Sequence, residues 1–218
     1  MASSPRAVVL RHTRLRPVPG LEPIRLHLAD EAPPLWHALQ LETGDADTPL
    51  PYWAFAWGGG LALAHYLAEH PDVVAGRHVL DLGSGSGLVA IAAMRAGATT
   101  ATAVDIDPFA MAAIERNARA NGVRVTTVRR DLLDDPEPPD ADVVLAADCW
   151  YDQGLADRML PWLRRTEAAG LDVLIGDPGR RYLPIADLEE LAAYDVRTTT
   201  ELEDLDLVRA RVFRLNAR

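Results

Sequence analysis

From residue 76 onward, short apolar runs alternate with helical stretches, and that alternation leaves few architectures open. RHVLDL (77–82), ATAVDI (101–106), VRVTTV (123–128), ADVVLAA (141–147) and LDVLIG (171–176) read as strands. Helical segments fall over 87–95, from Asp107-Pro108 to about Asn121, and over 154–169. Asp107 offers an N-cap oxygen and Pro108 a φ suited to the first turn, and Asn121-Gly122 supplies the stop. Strands joined by helical crossovers form a parallel sheet, with right-handed connections and helices on both faces. The unbroken apolar run at 141–147 marks a strand buried on both sides. YDVRTTT and LVRARVFRL, parted by ELEDLD, alternate instead and predict a terminal antiparallel pair of strands.

Ahead of residue 76 the pattern is weaker. PIRLHLA (23–29) reads as a strand, PPLWHAL (33–39) as the start of a short helix and GGLALAHYLAEH (59–70) as a helix with apolar positions three and four apart. No linker sets this part off. One domain is therefore expected, with residues 1–75 packed as a cap on a core of 76–218.

Composition removes whole classes of chemistry. All 22 basic residues are arginine. Without lysine there is no phosphate-cradling P-loop, no Schiff base to pyridoxal phosphate and no kinase-type ATP site. Cys149, the only cysteine, allows neither an intrachain disulfide nor a cysteine zinc site, and reads as a small buried residue. The six histidines (12, 27, 37, 65, 70, 78) contain no His-x-x-x-His pair, so no metal is expected. A net charge of −10 makes phosphate-rich nucleic acid a poor partner. Arg6, Arg11, Arg14 and Arg16 are a local exception; they read as an exposed strand or arm, or more sharply as a strip for an acidic partner. No apolar run suits a membrane span or a leader peptide, and the cytoplasm is the expected compartment.

The strongest motif is Asp81-Leu82-Gly83-Ser84-Gly85-Ser86-Gly87, which leaves a strand and opens a helix. Its glycines permit a tight turn and close approach of a ligand to backbone. Gly85-x-Gly87-x-x-Ala90 loosely satisfies a dinucleotide pattern as well. Charge separates the two ligands. A carboxylate from Asp81 at the mouth of the loop opposes a pyrophosphate but suits a phosphate-free cation such as S-adenosylmethionine (SAM). The alternative for Asp81 is a helix cap or a backbone contact. Asp105, with Ile106 beside it, lies about 20 residues after the first glycine, where an acid can hold both ribose hydroxyls of either cofactor. Asp131 reads equally as an acceptor for an adenine amino group and as a solvated loop acid.

Three further segments are more selective: Pro51-Tyr52-Trp53-Ala54-Phe55-Ala56-Trp57, Asp148-Cys149-Trp150-Tyr151 and Gly176-Asp177-Pro178-Gly179-Arg180. With the glycine loop they resemble the seven-β-strand SAM-dependent methyltransferases. Within these, they resemble the protein-lysine methyltransferases that act on the electron transfer flavoprotein β-subunit. The resemblance runs from about residue 23 to the end. It implies an α/β, Rossmann-like, doubly wound seven-stranded sheet, mostly parallel with an antiparallel C-terminal strand. It implies a substrate entrance built by residues 1–75. Trp57 would lie beside SAM, Gly83, Gly85 and Gly87 along its methionine end, Asp105 at the ribose, and Asp131 and Leu132 at the adenine. Asp148 and Tyr151 would stand where a protein's lysine meets the methyl group.

A lysine acceptor must be neutral, which costs roughly 4.6 kcal/mol at pH 7 for a reference pKa of about 10.4. A nearby sulfonium lowers that pKa by like-charge repulsion. Asp148 would orient the amine and help proton loss, unless it is only a helix N-cap. Tyr151 would bond the amine or wall its channel. Trp53 and Trp150 read either as walls for the lysine stem or as core. GDPGR reads first as a sharp turn, with Asp177 or Arg180 at the substrate as the second reading. Competing functions are methylation of a small heterocyclic amine, nicotinamide-dependent redox chemistry, a non-catalytic SAM-binding module, and RNA methylation. The last lacks an Asn/Asp-Pro-Pro-Tyr motif.

Overall fold

The computed structural model describes residues 4–198 and 207–216. Its centre is a seven-stranded sheet in the order β5-β4-β3-β6-β7-β9-β8. The strands are β3 (His78–Leu82), β4 (Thr100–Asp105), β5 (Thr126–Arg129), β6 (Val143–Ala147), β7 (Asp172–Asp177), β8 (Leu188–Arg197) and β9 (Leu207–Leu215). Neighbours from β5 to β7 pair in parallel, while β9 runs antiparallel to both β7 and β8. The terminal pair is therefore as expected, although β8 starts at Leu188, ahead of the expected Tyr194. The ELEDLD connection lies outside the described residues. The chain enters at β3, builds outward through β4 to β5, then crosses back to β6. That reversal opens a crevice between the carboxyl ends of β3 and β6, the usual ligand position in such sheets.

Alternation along the strands divides the core. One face carries Val79, Leu145, Leu174 and Val212 against α3 (Gly58–Glu69) and α4 (Leu88–Arg95). The other carries Leu80, Val144, Ile175 and Phe213 against Met159, Trp162 and Leu163 of α6 (Gln153–Ala168). Residues 143–146 of β6 are buried on both sides, as their unbroken apolar run requires. Asp107 caps α5 (Pro108–Ala120), accepting from the Phe109 N–H at 2.7 Å. No helix among the described residues is long and apolar enough to cross a membrane.

The N-terminal part departs from expectation. Residues 5–12 are not an exposed strand or arm but a helix, α1 (Pro5–His12), with Ser4 as its cap and Val8 and Val9 buried. They pack with α5 and with Leu35 and Leu39 of α2 (Ala32–Thr43). β1 (Arg14–Val18) and β2 (Leu21–Leu28) form a separate antiparallel hairpin. Two of the four arginines are engaged: Arg11 pairs with Glu42 at 2.8 Å, and Arg16 pairs with Asp30. Asn117 ties the hairpin to the glycine loop. It accepts the His27 N–H at 2.7 Å and donates to the Ser86 carbonyl at 2.8 Å.

α3 approaches β7 more closely than side chains allow. A Cβ on Gly176 would stand 2.2 Å from the Gly59 carbonyl oxygen, and one on Gly59 would stand 2.2 Å from the Gly176 carbonyl oxygen. Gly176→Ala should therefore cost about 2–3 kcal/mol in urea denaturation, by overpacking against backbone that cannot yield. Gly122→Ala is the control. Its φ is +69° with nothing within 4 Å, so only left-handed strain of about 1–2 kcal/mol is expected. Equal losses in the two variants would refute the close-approach argument.

Candidate functional site

The carboxyl ends of the parallel strands bring the glycine loop, Asp105, Asp131, Asp148 and Asp177 to one edge. The loop turns on three left-handed glycines, with φ of 66° at Gly83, 52° at Gly85 and 82° at Gly87. Gly83 faces Cys149 and Gly87 faces Ile114, each so closely that a Cβ would be crowded, at 3.3 and 3.2 Å. The Ser84 N–H donates to the Val104 carbonyl at 3.0 Å, continuing the β3–β4 ladder into the turn.

Asp81 does not stand at the mouth of this loop. It is buried, accepting from the Ser84 hydroxyl at 2.5 Å and the Ala90 N–H at 3.0 Å. The backbone-bonding alternative is the one observed. Burial pushes its carboxyl up to about 6. The charge argument survives in another form. Asp105 accepts the Gly85 N–H at 2.8 Å and the Asp107 N–H at 3.0 Å, and Asp107 takes the N–H of Phe109. Amides that would cradle a pyrophosphate already face carboxylates. The loop therefore suits a phosphate-free nucleoside, and its cradle fits SAM. Beside Asp105, Ile106 is 67% exposed, an apolar surface at the sheet edge. Asp131 accepts from the Leu133 N–H at 3.0 Å and pairs with Arg158 at 2.8 Å, while Leu132 packs against the α6 side of the core.

Asp148 is the one described non-glycine residue with positive φ, at 57°. It does not cap α6, where Asp152 does so by accepting the Leu155 N–H at 2.9 Å. Its oxygens accept from Gly59 N–H at 3.0 Å and Gly60 N–H at 2.8 Å, at the start of α3. Trp57, at that helix's own N-cap position, offers no side-chain cap. The Arg180 guanidinium completes the set, donating to Asp148 at 3.1 Å while lying 5.6 Å from the centroid of the Trp57 ring. Burial raises the Asp148 carboxyl, and the Arg180 charge and the two amides oppose that rise.

Tyr151 is 47% exposed and pairs with Tyr52 at a centroid distance of 5.2 Å. Tyr52 in turn lies 5.6 Å from Trp57, whose indole N–H donates to the Tyr52 carbonyl at 2.9 Å. Burial, with Tyr52 alongside, pushes the Tyr151 phenol above its ordinary value, so at neutral pH it keeps its proton and can donate a hydrogen bond. Trp53 and Trp150 are not channel walls. They are 1% and 0% exposed and belong to two separate core clusters. Cys149 is a buried thiol that burial holds protonated. Tyr52 is the member of this site that single-segment reasoning leaves out, and Arg180 enters there only as the second reading of the GDPGR turn. Their partners lie far away in sequence, and only the motif positions hinted at them.

A family model for ribosomal protein L11 methyltransferase (PrmA) matches residues 63–147. The chain is 36% identical to the electron transfer flavoprotein beta subunit lysine methyltransferase of Xenopus laevis, over 97% of its own length and 87% of that protein's. It is 40% identical to the Danio rerio protein of the same name, over 78% of this chain and 68% of the relative. Among solved structures it shares its fold with a T. Thermophilus 16S rRNA N2 G1207 methyltransferase in complex with AdoMet and guanosine. There the TM-score is 0.59 at 18% identity, covering 95% of this chain and 50% of that one.

Asp177 closes the site from β7. It is fully buried; one oxygen accepts from the Gly179 and Arg180 N–H groups at 2.7 and 2.6 Å. The other has no partner among the described residues. Burial and the neighbouring Asp148 charge push its carboxyl up to about 7, from an ordinary 3.8. It is protonated in both folded and unfolded chains well below pH 4, and its ionisation weighs against the fold as pH climbs toward and through about 7. Asp177→Asn should therefore match the parent below about pH 4, gain on it progressively as pH rises toward about 7, and hold that gain at pH 8. A difference of about 3 °C in Tm would correspond to roughly 1 kcal/mol at this size. A Tm gap independent of pH would refute the assignment. From its similarity along nearly all of its length, the chain belongs to the electron transfer flavoprotein β-subunit lysine methyltransferase family.

Proposed function

We propose that the chain methylates lysine side chains of the electron transfer flavoprotein β-subunit at the crevice between β3 and β6. Its family makes it a SAM-dependent protein-lysine methyltransferase. One observation carries the placement: a largely buried carboxylate, Asp148, is fixed at the end of β6 beside the glycine loop and three residues from the paired, exposed Tyr151 ring.

When bound, SAM supplies an electrophilic methyl: the amine lone pair forms the new N–C bond while the C–S pair leaves on sulfur. The chain's own task is alignment, and alignment can be worth about 7–11 kcal/mol. Asp105 holds the ribose and Ile106 packs along the adenine. Asp131 accepts from the adenine amino group with a lone pair left free by Arg158, and Leu132 backs that edge. Gly83, Gly85 and Gly87 let the backbone approach the methionine end, and Asp81 keeps the loop in shape from beneath. Trp57 closes the cofactor's side. Asp148 orients the incoming ammonium and favours loss of its proton toward solvent, and Tyr151 donates to or walls the amine. Residues 1–75 frame the entrance. The net negative charge supports a protein over a nucleic acid, and the single buried thiol supports a reducing compartment, the cytoplasm.

The decisive experiment incubates the purified protein with purified flavoprotein and labelled SAM and maps the modified lysines by mass spectrometry. The chain contains no lysine, so label on lysine cannot be self-modification. Label only in small molecules would defeat the reading. Asp148→Asn keeps an acceptor for the α3 amides and should lower kcat by about 100-fold or more while leaving SAM affinity unchanged. Asp105→Ala should instead weaken SAM by about tenfold or more, read by calorimetry. Near-full turnover by Asp148→Asn would remove it from the chemistry.

A further inference from the structure

We infer that Arg180 is an internal occupant of the lysine site: its guanidinium holds the carboxylate and the ring face that the substrate's cationic side chain takes over on binding. This rests on the lysine reading above and adds a competitor to it. A carboxylate joined to an aromatic face is what an alkylammonium needs for recognition. Here that pair is Asp148 and Trp57, and Arg180 meets both, at 3.1 Å and 5.6 Å. The ion pair is largely buried but not sealed off, with side-chain exposures of 19% for Arg180 and 11% for Asp148. From Trp57 the rings continue through Tyr52 to the exposed Tyr151, a path of aromatic surface leading outward.

The charges around the site favour exchange over simple departure. Asp148 and Asp177 both flank Arg180, and Asp177 has a buried oxygen without a partner among the described residues. Arg211, whose guanidinium a Cβ on Gly179 would meet at 2.7 Å, is engaged by Glu190 at 3.7 Å. Withdrawing the Arg180 charge alone would leave a buried carboxylate uncompensated, a costly state. A lysine ammonium arriving from the substrate restores the balance. The hinge is in place as well. The Arg180 N–H stays bonded to Asp177 behind Gly179, whose φ is 97°, so the side chain swings on a fixed backbone.

An occupant lowers apparent affinity by the fraction of time it holds the site. Removing it should therefore lower KM for the protein substrate by about three- to tenfold in Arg180→Ala, with KM for SAM unchanged. Added guanidinium chloride, at concentrations on the order of millimolar and far below denaturing, should inhibit that variant competitively against the protein substrate and leave the parent unaffected. Besides an unmoved KM, two results would overturn the inference. A fall in kcat that guanidinium restores would make Arg180 a positioning residue for Asp148. A lower KM for SAM would mean the guanidinium shadows the cofactor. Should Arg180→Ala fail to fold, Arg180→Gln keeps a hydrogen-bond donor without the charge and is read the same way. A parent protein that labels no lysine defeats the lysine reading itself; a labelling parent with an unmoved KM in the variants defeats only the inference.

Discussion

A tryptophan cannot cap a helix, and α3 begins with one in its cap position. The missing acceptor comes from across the chain, where Asp148 takes the Gly59 and Gly60 amides at 3.0 and 2.8 Å. That contact fixes three things together. It seats the start of α3 on the sheet, it holds β6's exit in a left-handed turn, and it buries a charge at the crevice where ligands bind in this fold. Only a residue that tolerates φ of 57° and carries an anion can do all three. Asp and Asn tolerate that region best among non-glycine residues, and only Asp brings the charge. The helix's positive end and the Arg180 guanidinium make the buried carboxylate tenable. The glycine pair at 59 and 176 follows from the same packing, since neither backbone could come this close with a side chain between.

The cofactor loop obeys a second constraint, visible in where its amides point. Loops of this shape bind pyrophosphates through free N–H groups. Here Asp105 takes Gly85, Asp81 takes Ala90 and Asp107 takes Phe109. Selectivity against phosphate thus comes from donors already engaged, and only secondarily from repulsion at an open mouth. Asp81 contributes although it never reaches the surface of the loop.

The parallel core was legible because its strands are buried on both faces and their apolar runs are unbroken, as in residues 143–146. β5 was harder. VRVTTV reads as one strand, but Val123 and Val125 pack against the core before pairing begins at Thr126. The N-terminal helix is less legible: Ser4-Pro5 is a start signal, but four arginines outweigh the two apolar residues, Val8 and Val9, that the helix buries. In the site, residue types were readable and directions were not. Trp53 and Trp150 occupy motif positions, yet they face the core, and no local pattern distinguishes inward from outward there. Asp148 is legible as a motif residue, but its partners at the start of α3 lie almost 90 positions away. Tyr52 and Arg180 acquire meaning only through Tyr151 and Asp148, contacts that no periodicity encodes.

The absence of lysine has a chemical counterpart at the centre of the site. Methyl transfer needs a nitrogen with a free lone pair. A guanidinium holds its proton far more tightly than an ammonium does, which makes it the poorer acceptor. An arginine resting against Asp148 and Trp57 would therefore compete only weakly for the methyl group. A lysine in its place would lose its proton under the same sulfonium repulsion that activates the substrate, and would compete as a nucleophile. On the proposed reading, the cation that rests on this carboxylate should be a poor nucleophile, and among the side chains arginine keeps its charge most firmly.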